Sequence, residues 1–264
     1  MPERIISSPE WSPDADSFMQ EHHLQASDRD LVDKLLEEAA SCAWPQGGYL
    51  ALCPESCTAE SVCLNGSRLH SKLLARHLGT QDRVFPFVAT CGPELAAWVD
   101  SKKDLLENYL AHALSEQATH LVAETLRKDI EDCYGLKSLS RMQPGSLPDW
   151  PLEEQKPLFH ILGGLADRLQ VRLTDSSLML PTVSLSGIYF QDPEGFISCQ
   201  LCTRQCPRRK AAFDPVRSAR TAKEALRMVL PVPPFPLIIA TCFISAPPAG
   251  RCLTAWNPIA GINS

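Results

Sequence analysis

The sharpest local signal for chemistry is Cys199, Cys202 and Cys206, a C-x2-C-x3-C-P arrangement within a loop over 199–207. Thiolates this near one another in sequence can wrap a soft metal centre. The functional reading is an iron–sulfur cluster with three local ligands and one remote cysteine; zinc on the same thiolates is the rival, and a loop with coincidental cysteines is the bland alternative. The spacing equals the last three cysteines of the bacterial C-x2-C-x2-C-x3-C-P run, with Phe196 standing where the first would be. Arg204, Arg208, Arg209 and Lys210 flank the loop, either favouring thiolate or forming a solvated basic surface. Cys53, Cys57 and Cys63 fit no standard zinc spacing and read as ordinary thiols, one of which is a candidate fourth ligand. His22, His23, His112 and His120 lack carboxylate or cysteine partners at ligand spacing and read as structural or surface residues. No stretch matches G-x-S-x-G, H-E-x-x-H or a phosphate-binding loop, which leaves hydrolase and nucleotide-kinase chemistry without support. No catalytic acid, base or nucleophile stands out.

The chain around these residues has 264 of them, 44% hydrophobic and 21% charged, a globular composition with room for a sizeable core. A net charge of −6 argues against an extended phosphate-binding surface, so nucleic acid is not an expected partner. Residues 1–8 carry no uninterrupted apolar run of the kind that directs export, and the expected location is the cytoplasm, where the eleven cysteines are thiols or ligands rather than disulfides. From Met228 to Gly250 no residue is charged, but six prolines interrupt the stretch and no membrane span is expected.

The elements that must position any site follow from periodicity. Residues 1–26 read as a polar arm. Leu31, Val32, Leu35, Leu36 and Ala39 recur on one helical face after a capping-box-like Ser27 and Asp30. A second helix is expected over Ser67–Leu78, then a strand at 84–88 with Pro86 pushing it to a sheet edge. Apolar residues keep helical period from Pro93 to Asp132, with a break near Asp100-Ser101. A loop over 144–151, a helix over 152–169 and strands at 171–174, 178–180 and 183–190 complete a domain over 27–213. Helices followed by strands, without βαβ alternation, predict an α+β fold. A short helix over Ala219–Leu230 precedes an irregular, proline-rich run, the whole of 214–264 reading as a poorly packed tail.

Within that domain, Val171–Phe190 resembles the LTES-x-AM-x-P-x-x-SVSG-x-YF signature of the activation domain of cobalamin-dependent methionine synthase. Upstream, Arg141-Met142-Gln143-Pro144-Gly145 is similar to that family's R-x-x-PG loop, and the likeness covers about residues 84–195. The resemblance implies long helices packed on a twisted, mainly antiparallel sheet, and binding of S-adenosylmethionine. Its methyl group would restore methylcobalamin on a reduced corrinoid. By the same resemblance Arg141 contacts the ligand carboxylate, backbone near Gly145 approaches it, and Tyr189 with Phe190 lines its pocket. An Arg fork, a glycine and aromatic faces suit a carboxylate, a close approach and a sulfonium respectively. Ser146 stands where the family has tyrosine, and Asp175 where it has glutamate. The D-x-H-x-x-G corrinoid signature is absent, so the expectation is not a complete methionine synthase but a stand-alone variant that acts in trans. Its partners would be a corrinoid-binding protein or methionine synthase modules, and an electron donor. The alternative is a non-catalytic docking or electron-transfer subunit bearing a metal or cluster.

Overall fold

The computed structural model describes residues 3–7, 11–206, 209–216 and 218; the chain divides at Val229, and every described residue lies in the first unit. In chain order the elements are β1 (Glu3–Ser7), α1 (Ala15–Glu21), α2 (Arg29–Cys42), β2 (Gln46–Leu50), β3 (Ser56–Cys57), β4 (Ser61–Leu64), β5 (Ser67–His70) and α3 (Lys72–Leu78). There follow β6 (Phe85–Thr90), α4 (Pro93–Ser101), α5 (Leu105–Tyr134), β7 (Leu139–Met142), α6 (Gln155–Leu162), α7 (Gly164–Arg168), β8 (Arg172–Leu173), β9 (Met179–Leu180) and β10 (Ser184–Gln191).

The main sheet has the order β1-β2-β6-β10-β7, every neighbour antiparallel. Strand alternation sends Tyr49, Phe85, Phe87 and Tyr189 to one face, where they meet Val122, Ala123, Leu126 and Ile130 of α5. It sends Val88, Met142, Ile188 and Phe190 to the other, against Leu73 and Leu74 of α3, Leu158 and Ile161 of α6, and the fully buried Trp150. The fold is therefore α+β, helices packed on a mainly antiparallel sheet. Glycine lets α5 lie close: a Cβ on Gly47 would stand 2.6 Å from Val122 Cγ1. The amino-terminal half of α5 leaves the sheet and packs Leu110, Leu114 and Ala118 against Phe18 of α1, Val32 and Leu35 of α2, and Leu95 of α4.

Several expectations change form. The segment read as an arm supplies an edge strand, β1, and the buried Phe18. The helix expected over 67–78 begins only at Lys72, because Asn65 and Gly66, both at positive φ (47° and 73°), turn β4 back into β5. β6 is interior, not an edge. Val84 exchanges two hydrogen bonds with Leu52 (3.0 and 2.8 Å); Pro86, two residues on, would turn its missing N–H toward the same side, and the β2 ladder stops at Phe87. The helical run from 93 breaks between Ser101 and Leu105, where Asp104 caps α5 by accepting from the Leu106 and Glu107 N–H groups (2.9 and 3.0 Å). The helix expected over 152–169 is divided at Gly163, φ 52°. Residues 219–230, and the tail beyond, lie outside the described residues. Among the described residues no helix is long and apolar enough to cross a membrane.

Candidate functional site

The edge strand β7 places Arg141 directly beside Tyr189 of β10. Met142 enters the core on the α3/α6 side, so Arg141, one residue earlier, faces α5. Tyr189 is fixed on three sides. Its ring stacks on Phe87 (centroids 4.2 Å, 29° apart), its hydroxyl donates to the Ala123 carbonyl of α5 (2.8 Å), and it pairs with Arg141 across the strands. Burial pushes its phenol up to about 12, with Arg141 opposing part of that rise.

The two residues form part of the wall of a cavity of about 460 Å³, within the range of small-molecule sites. α5 contributes His120, Glu124 and Arg127, a stripe at i, i+4 and i+7 on the side turned from the sheet. Gln143 and Ser146 form a second wall, the Ser146 hydroxyl donating to the Gln143 carbonyl (2.6 Å). The third comes from the described residues after β10, chiefly Phe196, Cys199, Cys202, Cys206, Arg209 and Lys210. Phe196, 3% exposed, anchors that segment by packing against His77 (4.9 Å) and by donating its N–H to Asp192 (2.9 Å). Arg209 then clasps the loop from its far end, its guanidinium donating to the carbonyls of Cys199 and Cys202 (2.9 Å each) and of Arg204 (2.5 Å).

Two electrostatic features stand out. The Nη1 atom of Arg141 is buried and has no hydrogen-bond partner, a donor left unsatisfied at a cost of about 1–3 kcal/mol unless something fills the space before it. His120 titrates below its ordinary value, through burial first and then the positive charges of Lys210 and Arg141. Its imidazole is neutral at neutral pH. Glu124 is already engaged, accepting from Arg127 Nε (2.8 Å), whose Nη1 also reaches Glu131 (2.7 Å).

Of the residues expected at the site, Arg141 and Tyr189 share the cavity with Cys199, Cys202 and Cys206. Phe190 does not join them: strand alternation turns it to the opposite face, against His77 (5.0 Å). Gly145 lies between the lining residues Gln143 and Ser146, at φ 80°, with its N–H bonded to the Trp150 carbonyl (2.7 Å). A Cβ there would approach Leu152 at 3.3 Å, on the side of the turn rather than in the cavity. The three cysteines line one wall, but among the described residues no three His, Cys, Asp or Glu side chains gather closely enough to hold a metal ion. Cys53, Cys57 and Cys63 are elsewhere, Cys57 and Cys63 being on the small sheet β3-β4-β5. His120, read from sequence as structural or surface, is a lining residue. The signal that would have found it is the His120-Glu124-Arg127 stripe opposite the apolar face of α5.

Searches of family models and of curated proteins give no match. Thirteen chains among solved structures do match. One is the crystal structure of the MetH reactivation domain bound to AdoHcy, at TM-score 0.50 and 19% identity, covering 69% of this chain and 67% of that one. At that identity the likeness establishes the fold: this chain has the fold of a methionine synthase reactivation domain. It agrees in fold with the motif resemblance over 84–195.

Proposed function

We propose that this chain binds S-adenosylmethionine in the cavity beside Arg141 and Tyr189, and supports the reductive methylation of cobalamin carried by another protein. The observation that carries this reading is the buried, unpartnered Nη1 of Arg141 in a cavity of ligand size. A guanidinium fork with a free donor matches a carboxylate bidentately, and an amino-acid carboxylate satisfies it without a second protein group. The ring of Tyr189 offers an apolar, electron-rich wall beside that anchor. The AdoHcy-bound reactivation domain of the same fold supports the ligand class. Positioning is what these residues contribute. Tyr189, held by Phe87 and by the Ala123 carbonyl, fixes the cross-strand neighbour Arg141, and orientation of a bound donor is a proximity effect.

The test is calorimetric titration of S-adenosylmethionine into the anaerobically purified chain and into Arg141→Ala. Saturable binding lost in the variant supports the reading; absence of binding in the parent protein, with its fold intact, overturns it. The alternative, a docking or electron-transfer subunit bearing a cluster or zinc at Cys199, Cys202 and Cys206, draws on the three thiols sharing one wall. Iron, sulfide and zinc content of the same preparation decides it. In either case the residues lining the cavity end at Lys210, and a chain cut after Asp214 is expected to retain ligand binding.

A further inference from the structure

The cavity is built from cations to a degree that a carboxylate anchor alone does not require. Arg141, Arg209 and Lys210 all line it, and among the described residues none of the three has a carboxylate within ion-pair distance. Arg209 uses its donors on backbone carbonyls, which leaves its charge uncompensated. Arg127 is the exception, shared between Glu124 and Glu131. Among the described residues Glu124 is the one carboxylate on the wall and is engaged by Arg127, while the side chains of Ser140, Gln143, Ser146, Tyr189 and Ser198 carry no formal charge. His120 on the same wall is held below its ordinary value by burial first, then by Lys210 and Arg141, against the opposing carboxylates of Glu116 and Glu124. A ligand cation in the same space meets the same repulsion.

S-Adenosylmethionine and S-adenosylhomocysteine share the carboxylate, the amino group and the nucleoside. They differ by one methyl group and one positive charge on sulfur. We propose that this cavity discriminates between them by charge, holding the thioether S-adenosylhomocysteine more tightly than the sulfonium, with Arg209 and Lys210 of the cysteine loop as the selecting groups. Arg141 anchors the carboxylate of both equally and so does not discriminate. The proposal rests on the carboxylate reading of Arg141. It adds a regulatory property to that site: occupancy follows the ratio of spent to fresh methyl donor, not the concentration of donor alone. Repulsion between a sulfonium and two unpaired cations across a partly screened cavity corresponds to a preference of about tenfold or more at low salt, narrowing as salt rises.

The experiment is a parallel calorimetric titration of the two ligands into the full chain at pH 7.5 and low ionic strength, repeated with Lys210→Glu. Lys210 is exposed, so the substitution leaves the fold in place. The expected result is S-adenosylhomocysteine binding at least about tenfold tighter, with the gap reduced severalfold in Lys210→Glu through gained sulfonium affinity. Equal affinities, or tighter binding of the sulfonium, overturn the proposal while leaving the carboxylate reading standing. A gap that Lys210→Glu does not move overturns the assignment of the selecting group. Binding of neither ligand overturns both readings together.

Discussion

The two halves of α5 differ in whether every cation beside them finds a carboxylate. Around the amino-terminal half, the buried ionic groups are matched within the protein, although Trp11 Nε1 and Gln117 Oε1 are buried without a partner. Glu38 of α2 accepts from the Trp98 indole N–H (3.0 Å) and from the Lys102 ammonium, which also lies over the Trp98 ring (4.8 Å), while Lys34 reaches Glu107 (3.7 Å). Around the carboxy-terminal half, Arg127 is paired with Glu124 and Glu131 and Arg4 with Asp129, but beside the cavity Arg141 keeps a buried donor unpaired, and burial with the charges of Lys210 and Arg141 holds His120 below its ordinary value. Packing does not explain the contrast, since both halves bury fully enclosed aliphatic residues, Leu114 in one and Leu126 in the other. Paired charges give a helix cluster its register.

The contrast can be broken in several ways, the packing control having the largest effect. Leu114→Ala and Leu126→Ala each remove a 0%-exposed side chain, and each is expected to cost about 2–5 kcal/mol in denaturant titrations, as cavity-forming substitutions do. A large inequality between them would mean that packing, not charge, distinguishes the halves. Next come the ionic groups. Glu38→Ala strands Lys102 and the Trp98 N–H and is expected to cost about 1–3 kcal/mol without affecting ligand binding. Arg141→Ala is expected to abolish binding while changing stability by less than about 1 kcal/mol, because its buried donor has nothing to lose.

A smaller effect concerns pH. The folded-state pKa of His120 is lowered, so the unfolded chain binds a proton first. Stability is therefore complete above the ordinary imidazole value of 6.5 and falls as pH drops below it toward the lowered folded value. His120→Gln is expected to flatten that limb of a stability–pH profile. The smallest effect is one of rate. Cys91, beneath the amino-terminal half, is fully buried, and its thiol is pushed up to about 11 by burial. Under native conditions its alkylation, followed by mass spectrometry, is expected to lag far behind that of the exposed Cys206 at the cavity.

How much of this was legible in the sequence differs between the two halves as well. The apolar period of α5 and the break before it were readable because long amphipathic helices leave a strong signal. The stripe facing the cavity was not, since three polar residues opposite an apolar face look like solvent contact until another segment covers them. β2 escaped notice because Gly47 and Gly48 weaken a strand signal, yet both are glycine for steric cause: a Cβ on Gly48 would lie 2.8 Å from the Arg4 carbonyl oxygen. β5 was misread as helix although Asn65-Gly66, the commonest two-residue hairpin turn, precedes it. Arg141 and Tyr189 were reached through family motifs, and the register then set them side by side. The same resemblance placed Phe190 in the pocket with Tyr189, but the two-residue period of β10 turns it to the opposite face.

Sheet order also fixes a sequence in time. β10 separates β6 from β7, and it is the last of the five sheet strands to leave the ribosome. Until it is made, β7 has no neighbour in the main sheet and Arg141 has no Tyr189 beside it. Long-range pairing of this kind is slow to form. The helical cluster around Phe18, Leu35 and Leu95 can gather from residues already synthesised, whereas the cavity beside Arg141 exists only once the centre of the sheet has been inserted between strands made earlier.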